Sequence, residues 1–219
     1  MGARICVIDY EKGNLASVER GLADAGFDAF VSNRPADILG AQGLVLPGVG
    51  SFADAMTTMN ELGQTQAIKE RVAQGAPFLG ICLGMQLCLE RGDEGCAEGQ
   101  EMEGLGLMRG RIVRMPALAA DGSKFKVPHV GWNSVELAAA GNPLFAGVED
   151  GSYFYFTHSY ICECSDAADV AGTTCHAQPF ASALRRGQVF GCQFHPEKSS
   201  AAGMRVLANF GRIVEEAWA

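Results

Sequence analysis

The sequence predicts an α/β fold: a doubly wound, mostly parallel central sheet with flanking helices and an added antiparallel β section in the C-terminal half. Up to Gly104, short apolar strands alternate with helical stretches, a pattern typical of parallel sheets. Beyond Gly104, strand-like segments follow one another. No internal repeat, low-complexity tract or linker divides the 219 residues, so we expect a single domain over residues 1–219.

In the N-terminal half, the elements are predicted from β-branched runs, turn residues and helical periodicity. Buried strands are predicted over 4–10, 43–46 and 77–81. Asn14 occupies the N-cap position of a first helix, whose apolar face contains Leu15, Val18 and Leu22. Further helices are predicted over 52–61, 66–74 and 83–91.

The C-terminal half is predicted to be mostly strands before one closing helix. The strand-like segments are 107–115, 132–137, 152–157, 180–184 and 189–194. The last two are joined by RRGQ, residues 185–188, a connection of hairpin length. The closing helix, 199–218, carries an apolar stripe of Val206, Leu207, Phe210, Ile213 and Val214.

The charge balance argues against two classes of partner. The chain has 17 basic and 25 acidic residues and a net charge of −8, without the basic stripe of a nucleic-acid binder. Its apolar runs are far shorter than the ~20 residues that cross a bilayer. Asp9 interrupts the N-terminus before a signal-peptide core could form. We therefore expect a soluble, cytoplasmic protein that binds neither nucleic acid nor membrane.

The eight cysteines do not predict a disulfide scaffold or a metal site. They lack paired CxxC spacing, and the four histidines are scattered along the chain. Most of the cysteines are expected to be small buried apolar residues. We expect no metal and no cofactor.

One cysteine lies in a motif that carries chemistry. Residues 78–84, FLGICLG, have the form strand, G-x-C-x-G, helix, which is a nucleophile elbow with Cys82 in place of serine. Gly80 and Gly84 leave room for the sharp turn, and the N-terminus of the following helix favours the thiolate. By itself, the motif fits a buried packing cysteine as well as a nucleophile.

His195 and Glu197 follow a predicted strand at the other end of the chain, in the sequence FHPE. His195 can serve as the base for Cys82, and Glu197 can hold the imidazole in the required tautomer. A histidine considered alone is more often a hydrogen-bonded core residue. Together with an elbow cysteine and a nearby carboxylate, it favours a catalytic triad at the carboxyl edge of the sheet.

A glycine-flanked loop, PGVGSF over 47–52, follows the predicted strand 43–46. Gly48 and Gly50 allow the Val49 amide to turn toward an anionic oxygen, as an oxyanion hole requires. Without Cys82, this segment would predict only a tight turn. The phosphate-binding patterns G-x-x-x-x-G-K-[ST] and G-x-G-x-x-G do not occur in the sequence.

The order and spacing of PGVGSF, GICLGMQL and FHPEKS resemble the class I, triad-type glutamine amidotransferases. A finer resemblance, over nearly the whole chain, is to the glutaminase subunits of imidazole glycerol phosphate synthase. It is carried by IDYEKGNLASV, VPHVGWNSV, YFYFTHSY and QFHPEKSSAAG. The chain departs from that pattern at Glu11, where glycine is usual, and at Cys192, where threonine is expected.

The resemblance implies a role for each matching residue. Cys82, His195 and Glu197 would form the triad, with the amides of Leu83 and, after a peptide reorientation, Val49 as the oxyanion hole. The residues implied to hold the L-glutamine substrate are Gly50, Gln86, Glu94, Ser159 and Tyr160. The residues implied to face a partner are His129, Trp132, Asn133, Tyr155 and Lys198.

The resemblance also implies a reaction and a partner. Glutamine would be hydrolysed to glutamate and ammonia through a thioester on Cys82. The ammonia would pass to a TIM-barrel cyclase subunit, bound as a heterodimer, which makes imidazole glycerol phosphate and aminoimidazole carboxamide ribonucleotide in histidine biosynthesis. The alternatives are a glutaminase of another synthase, for anthranilate or pyridoxal phosphate, and a non-catalytic binding module of the same fold.

Overall fold

The computed structural model describes residues 2–138 and 141–219. The first strands are β1 (Arg4–Ile8), β2 (Asp28–Ser32), β3 (Gly43–Gly48), β4 (Phe78–Cys82), β5 (Arg91–Gly92), β6 (Met102–Glu103) and β7 (Gly110–Arg114). The remaining strands are β8 (His129–Ser134), β9 (Glu136–Leu137), β10 (Tyr153–His158), β11 (Tyr160–Cys164), β12 (Val170–Cys175), β13 (Pro179–Arg186) and β14 (Val189–Cys192). The α-helices are α1 (Leu15–Asp24), α2 (Pro35–Gly40), α3 (Phe52–Glu61), α4 (Gln64–Ala73), α5 (Leu83–Leu87) and α6 (Ser200–Ala217).

The strands form a large mixed sheet and a small antiparallel one. The large sheet runs β2-β1-β3-β4-β14-β13-β11-β7-β5-β6, with β12 and β9 attached beside β13. In this order, the neighbouring strands of the segment β2-β1-β3-β4-β14 pair in parallel, and those of the segment β14-β13-β11-β7 pair antiparallel. β8 and β10 pair antiparallel in the second sheet. The predicted fold class, including the antiparallel section of the C-terminal half, is confirmed.

The two faces of the parallel sheet are buried by different helices. Ile5 and Val7 of β1 pack with apolar residues of α1 and α6, such as Leu22. The alternate residues, Cys6 and Ile8, pack with the opposite layer, which contains α2, α3, α4 and α5. Because successive strand residues point to opposite faces, a buried parallel strand is apolar along its whole length.

Several elements differ from the expectations. The elements β2, α2, β5, β6, β11 and β12 were not predicted. β2 is an edge strand that is only partly buried, so its sequence lacks a buried strand's apolar run. The predicted helix over 83–91 ends at Leu87, because the backbone of Glu90 bonds to Gly104 and Gly110 instead. The hairpin between β13 and β14 is confirmed, with Arg186 paired to Val189 and Gly187 at φ +58°.

The topology brings the motif-bearing segments to one edge of the sheet. Gly48, the last residue of β3, is the register partner of Cys82, the last residue of β4. β14 pairs with the other side of β4, and the chain reaches His195 three residues after β14 ends. The carboxyl ends of parallel strands are where α/β sheets bind ligands. Within the described residues, no helix is long and apolar enough to cross a membrane.

Candidate active site

Cys82 occupies a strained turn between β4 and α5. Its backbone lies at φ 54° and ψ −111°, a conformation that non-glycine residues rarely adopt. A Cβ atom on Gly80 would collide with the Gly84 carbonyl, and one on Gly84 would collide with the Leu46 backbone. The G-x-C-x-G spacing is therefore a packing requirement of this turn.

The Cys82 sulfur has polar neighbours on several sides. As a thiol it donates a hydrogen bond to the Thr157 carbonyl, with 3.7 Å between Sγ and O. It accepts one from the side-chain amide of Gln193, with 3.6 Å between Nε2 and Sγ. His195 also interacts with the sulfur. The Cys82 side chain is 6% exposed, so these contacts are largely shielded from water.

His195 and Glu197 form a buried pair beside the sulfur. Nδ1 of His195 lies 2.9 Å from Oε1 of Glu197, so this carboxylate accepts a hydrogen bond from Nδ1–H and leaves Nε2 for Cys82. Nε2 has no directed hydrogen-bond partner in the part of the chain that the structure describes. Burial lowers the pKa of His195, but Cys82 and Glu197 raise it more, and the resulting pKa is about 9. The imidazolium is therefore favoured next to these partners.

Asn14 contacts the His195–Glu197 pair with its side chain. It occupies the residue before α1, but its side chain makes no capping hydrogen bond. Its Nδ2 instead lies 3.4 Å from Oε1 of Glu197, the oxygen that also accepts from His195. The predicted N-cap position is confirmed, although the side chain bonds to Glu197 and not to the helix N-terminus. The amide bonds to the buried carboxylate because a hydrogen bond to a charged acceptor is stronger than one to a neutral acceptor.

The Val49 amide points to a protein acceptor. Its N–H donates to the hydroxyl of Tyr10, with 3.2 Å between N and O. Tyr10 is fully buried, and burial raises its pKa, so the hydroxyl stays neutral. Gly50, which follows Val49, has φ +102°, a conformation that favours glycine. Val49 is thus in place beside the site, but its N–H is occupied.

The predicted oxyanion and substrate residues line one pocket with Cys82. The pocket is small, with an accessible volume of about 210 Å³. It is lined by Val49, Gly50, Cys82, Leu83, Gln86, Glu94, Thr157, His158, Ser159 and Tyr160. Leu83 is the first residue of α5, where a helix leaves its backbone N–H without an intrahelical acceptor.

Gln86 and Glu94 are held in the pocket by hydrogen bonds. Both hydrogens of Gln86 Nε2 are used, one by the Tyr160 carbonyl at 3.0 Å and one by Oε1 of Gln193 at 2.9 Å. Its own Oε1 is therefore what it can offer a ligand. Glu94 accepts from the Phe52 N–H at 3.2 Å. Burial raises the pKa of Glu94, because the charged carboxylate is poorly solvated in the cleft. A bound cation would stabilise the charged form there.

The predicted partner-facing residues separate into an exposed group and a buried one. Trp132 on β8 is the register partner of Tyr155 on β10, and their rings meet edge to face at 6.3 Å. Lys198 Nζ lies 5.8 Å from the Tyr155 ring centre, and Trp132 is 51% exposed. With exposed Val130 and Tyr153, these residues form a surface that we call the β8–β10 face.

His129 does not belong to the β8–β10 face. It is buried and stacks on the rings of Phe156 and His176. Because side chains alternate along a strand, His129 and Asn133 lie on the side of β8 opposite Trp132. Asn133 is half-buried and donates to the Cys175 carbonyl at 2.9 Å. The His129 side chain is therefore covered in this structure, and its predicted contact with a partner stays a prediction.

His129 and His158 form a buried imidazole pair, with 3.0 Å between Nδ1 of His129 and Nε2 of His158. Nδ1 of His158 lies 2.9 Å from the Tyr160 carbonyl and must carry the proton, so Nε2 accepts from His129. Burial lowers the pKa of His129 to about 4 and that of His158 to about 3. Both rings are neutral in this arrangement.

The sequence analysis did not name Tyr10, Thr157, His158 or Gln193 as site residues. Tyr10 lies at the end of the predicted strand 4–10, and nothing local distinguishes it from a core tyrosine. Gln193 did carry a signal, because strand alternation places it on the same side of the chain as His195, two residues later. Among the described residues, no group of three or more His, Cys, Asp or Glu side chains could hold a metal ion.

The fold and the site together define a class of protein. A strand–cysteine–helix elbow, a histidine–glutamate pair and a glycine-flanked loop meet at the carboxyl edge of a parallel sheet. The family model of class-I glutamine amidotransferases matches residues 6–214. The chain belongs to this family.

Full-length relatives show which group of amidotransferases the chain resembles most. It is 46% identical over 211 residues to imidazole glycerol phosphate synthase subunit HisH of Halalkalibacterium halodurans, covering 96% of both chains. It is 47% identical over 212 residues to the subunit of the same name from Symbiobacterium thermophilum, covering 97% of this chain and 95% of that one. Within the amidotransferases, the chain therefore groups with the HisH subunits.

Solved structures support the fold alone. A PurLQS structure from Thermotoga maritima matches with a TM-score of 0.71 at 19% identity, over 97% of this chain and 99% of that one. A glutamine amidotransferase from the same organism matches with a TM-score of 0.62 at 17% identity, over 99% of this chain and 85% of that one. At such low identity, the shared property is the arrangement of strands and helices.

Proposed function

We propose that this chain is the glutaminase subunit of an imidazole glycerol phosphate synthase in histidine biosynthesis. It hydrolyses L-glutamine to glutamate and ammonia, and it passes the ammonia to a cyclase subunit. The observation that carries this proposal is the position of the Cys82 sulfur. It lies between a buried His195–Glu197 pair and a pocket that contains Glu94 and Gln86.

The first half of the reaction forms a thioester. The Cys82 thiolate attacks the side-chain carboxamide carbon of glutamine, and the carbonyl oxygen becomes an oxyanion. The His195 imidazolium gives its Nε2 proton to the departing nitrogen, the C–N bond breaks and ammonia leaves. Glu197 accepts from Nδ1 throughout, which orients the ring and stabilises its charged form.

The second half regenerates the cysteine. Neutral His195 takes a proton from water, and the resulting hydroxide attacks the γ-glutamyl thioester. The C–S bond breaks, glutamate leaves and the sulfur returns to the thiolate beside imidazolium. The sum is glutamine plus water to glutamate plus ammonia, with no other reactant.

The oxyanion is stabilised by the Leu83 N–H, at the start of α5, and by the Val49 N–H. The Val49 N–H must first leave the Tyr10 hydroxyl that now accepts it. Its peptide therefore has to rotate, which the neighbouring Gly48 and Gly50 permit. A protein in which this N–H remains on Tyr10 lacks one of its two oxyanion donors.

The substrate's amino-acid end is recognised by polar groups away from the sulfur. Glu94 receives the α-ammonium group, because its carboxylate lines the pocket and its burial favours a cationic partner. Gln86 accepts through Oε1, since both hydrogens on its nitrogen are already bonded. Gly50, Ser159 and Tyr160 complete the enclosure.

The partner is a TIM-barrel cyclase, bound one to one through the β8–β10 face. Support comes from the relatives' description as subunits of a synthase and from the exposed Trp132–Tyr155–Lys198 cluster. The carbonyl of Tyr155 accepts the backbone N–H of His195 at 2.9 Å, so a partner on this face touches a strand bonded to the catalytic segment. The acceptor of the ammonia is the cyclase's phosphoribulosyl aminoimidazole-carboxamide nucleotide.

The test uses glutamine labelled with ¹⁵N in its side-chain amide and a purified cyclase of imidazole glycerol phosphate synthase. We expect the label in imidazole glycerol phosphate with the native chain and none with Cys82→Ala. Added ammonia should restore synthesis with Cys82→Ala, because only the nitrogen source is lost. Cys175→Ser, which changes an exposed cysteine, is the matched control and should behave as native.

Each contrary outcome identifies another function. Glutamine hydrolysis without transfer to this cyclase, but with transfer to anthranilate or pyridoxal phosphate synthase, would assign the glutaminase to that synthase. Absence of hydrolysis with every partner would leave a binding module. Full activity of Cys82→Ala would refute the proposed nucleophile.

A further inference from the structure

The geometry points to Gln193 as a further catalytic residue, whose side-chain amide stabilises the Cys82 thiolate. This inference rests on the proposed function, because it takes Cys82 as the nucleophile. Gln193 Nε2 lies 3.6 Å from Cys82 Sγ, within the range for a hydrogen bond to sulfur. It is a neutral donor, separate from the charged His195 and from the backbone amides of the oxyanion hole.

Gln193 is fixed in place by its backbone and its burial. It follows β14 directly, is fully buried, and its backbone N–H donates to the Ser182 carbonyl at 2.9 Å. A glutamine that serves only for packing would be a costly choice here, since a buried amide must have its polar atoms satisfied. The sulfur is one of the partners that satisfy it.

Its amide also has a defined orientation. Gln86 donates from Nε2 to Oε1 of Gln193 at 2.9 Å, while its other hydrogen is directed to the Tyr160 carbonyl at 3.0 Å. If the Gln193 amide were turned over, its NH₂ group would face the NH₂ group of Gln86, and its oxygen would face the sulfur. The hydrogen-bond pattern therefore directs the Gln193 N–H to Cys82.

A donor at this position is needed most when the sulfur is ionised. The thiol can donate to the Thr157 carbonyl, but the thiolate has no proton to give, and that carbonyl then faces it with like partial charge. Gln193 compensates, since hydrogen bonds to an ionised acceptor are the strong ones. The negative sulfur in turn raises the pKa values of the titratable groups around it, which are His195, Tyr10, Cys162 and Cys192.

The experiment measures the rate at which iodoacetamide alkylates Cys82 as a function of pH, by mass spectrometry of the full chain. Gln193→Met removes the donor at similar volume. Gln193→Glu keeps an oxygen for Gln86 but places a second oxygen against the sulfur. The matched control is Gln64→Met, because Gln64 is also fully buried but bonds to the carbonyls of Asp9 and Asn33.

We expect the midpoint of the alkylation profile to move upward by about one pH unit or more in Gln193→Met and Gln193→Glu. Gln64→Met should keep the native profile, even if its melting temperature falls. In the complex with the cyclase, the kcat for glutamine should fall about tenfold in Gln193→Glu, with KM little changed because the Gln86 partner is retained.

An unshifted profile in a folded Gln193→Met would overturn the inference. If that variant does not fold, Gln193→Glu decides in the same way. If Cys82 of the native chain reacts no faster than exposed Cys175, the proposed nucleophile itself fails, which is a different result. An equal shift in Gln64→Met would assign the effect to loss of any buried amide and would also overturn the inference.

Discussion

The hydroxyl of Tyr10 accepts a hydrogen bond from the backbone N–H of Val49, with 3.2 Å between the two atoms. The bond joins Tyr10, two residues after β1, to the loop after β3. It occupies an amide N–H that the oxyanion would otherwise bind. The Tyr10 phenol is fully buried and stays neutral, since burial raises its pKa. We infer that this contact holds the isolated chain in a state of low activity.

Tyr10→Phe should raise the glutaminase activity of the isolated chain. The variant removes the hydroxyl that accepts the Val49 N–H but changes little volume. The N–H is then no longer held away from the oxyanion position. One oxyanion donor contributes about 10²–10³ in rate, which sets the upper limit of the gain. Steady-state glutamate release, with exposed Tyr153→Phe as control, measures it. Unchanged or lower activity in a folded Tyr10→Phe would show that Tyr10 does not restrain the loop.

His195→Asn should lower glutamine hydrolysis by about 10⁴ or more, because both proton transfers require the imidazole. Glu197→Gln should cost less, since this carboxylate orients the ring and does not exchange the proton. Turnover of labelled glutamine in the synthase complex measures both. His176→Asn, at a histidine outside the pocket, is the control and should retain activity. Small, equal losses in the first two variants would contradict the triad.

The His195 pair should make stability fall at alkaline pH. The pKa of His195 is raised from 6.5 to about 9 in the folded state. Its contribution to the free energy of unfolding is therefore fully present below pH 6.5 and is lost as the pH rises through about 9. Urea unfolding between pH 6 and 10 should show this slope in the native chain. His195→Asn and Cys82→Ala should flatten it, and an unchanged slope in both would refute the assignment.

The His129–His158 pair should make stability fall on the acid side. The pKa values of the two rings are lowered from 6.5 to about 4 and about 3, so between these limits the unfolded chain binds more protons than the folded one. The free energy of unfolding should decrease as the pH falls below 6.5. His158→Asn should reduce this acid slope while lowering stability at neutral pH. Denaturant titrations at fixed ionic strength between pH 4 and 7 test it.

Trp132→Ala should weaken the complex with the cyclase by about 1–4 kcal/mol, the range of an aromatic hot spot. Trp132 is half-exposed and its ring meets that of Tyr155 edge to face, so folding should be little affected. Trp218→Ala is the matched control, because Trp218 donates to the Gln42 carbonyl, which precedes β3 at the opposite edge of the sheet from Cys82. Equal affinities of the two variants by sedimentation would place the interface elsewhere.

The fold class and the chemically active segments could be predicted from the sequence alone. Alternating strands and helices predicted the parallel sheet, and the glycines on either side of Cys82 predicted the elbow. The requirement for Gly80 is local, because a Cβ there would meet the Gly84 backbone of the same turn, whereas Gly84 is required by the Leu46 backbone of the neighbouring strand β3. The His195–Glu197 pair is local as well, since the two residues lie on one short turn.

The contacts between distant segments at that edge became visible only in the folded chain. Asn14 reaches Glu197 across 183 positions of the chain, Gln193 reaches Cys82 across 111, and Tyr10 reaches Val49 across 39. The Asn14 and Tyr10 contacts have no signature in their own segments, whereas Gln193 shows only the alternation that places it on the same side of the chain as His195. His129 is buried because strand alternation turns it inward and Phe156 and His176 cover it. Two groups form a hydrogen bond only when packing brings them within about 3–4 Å of each other, and the whole fold decides which groups come that close.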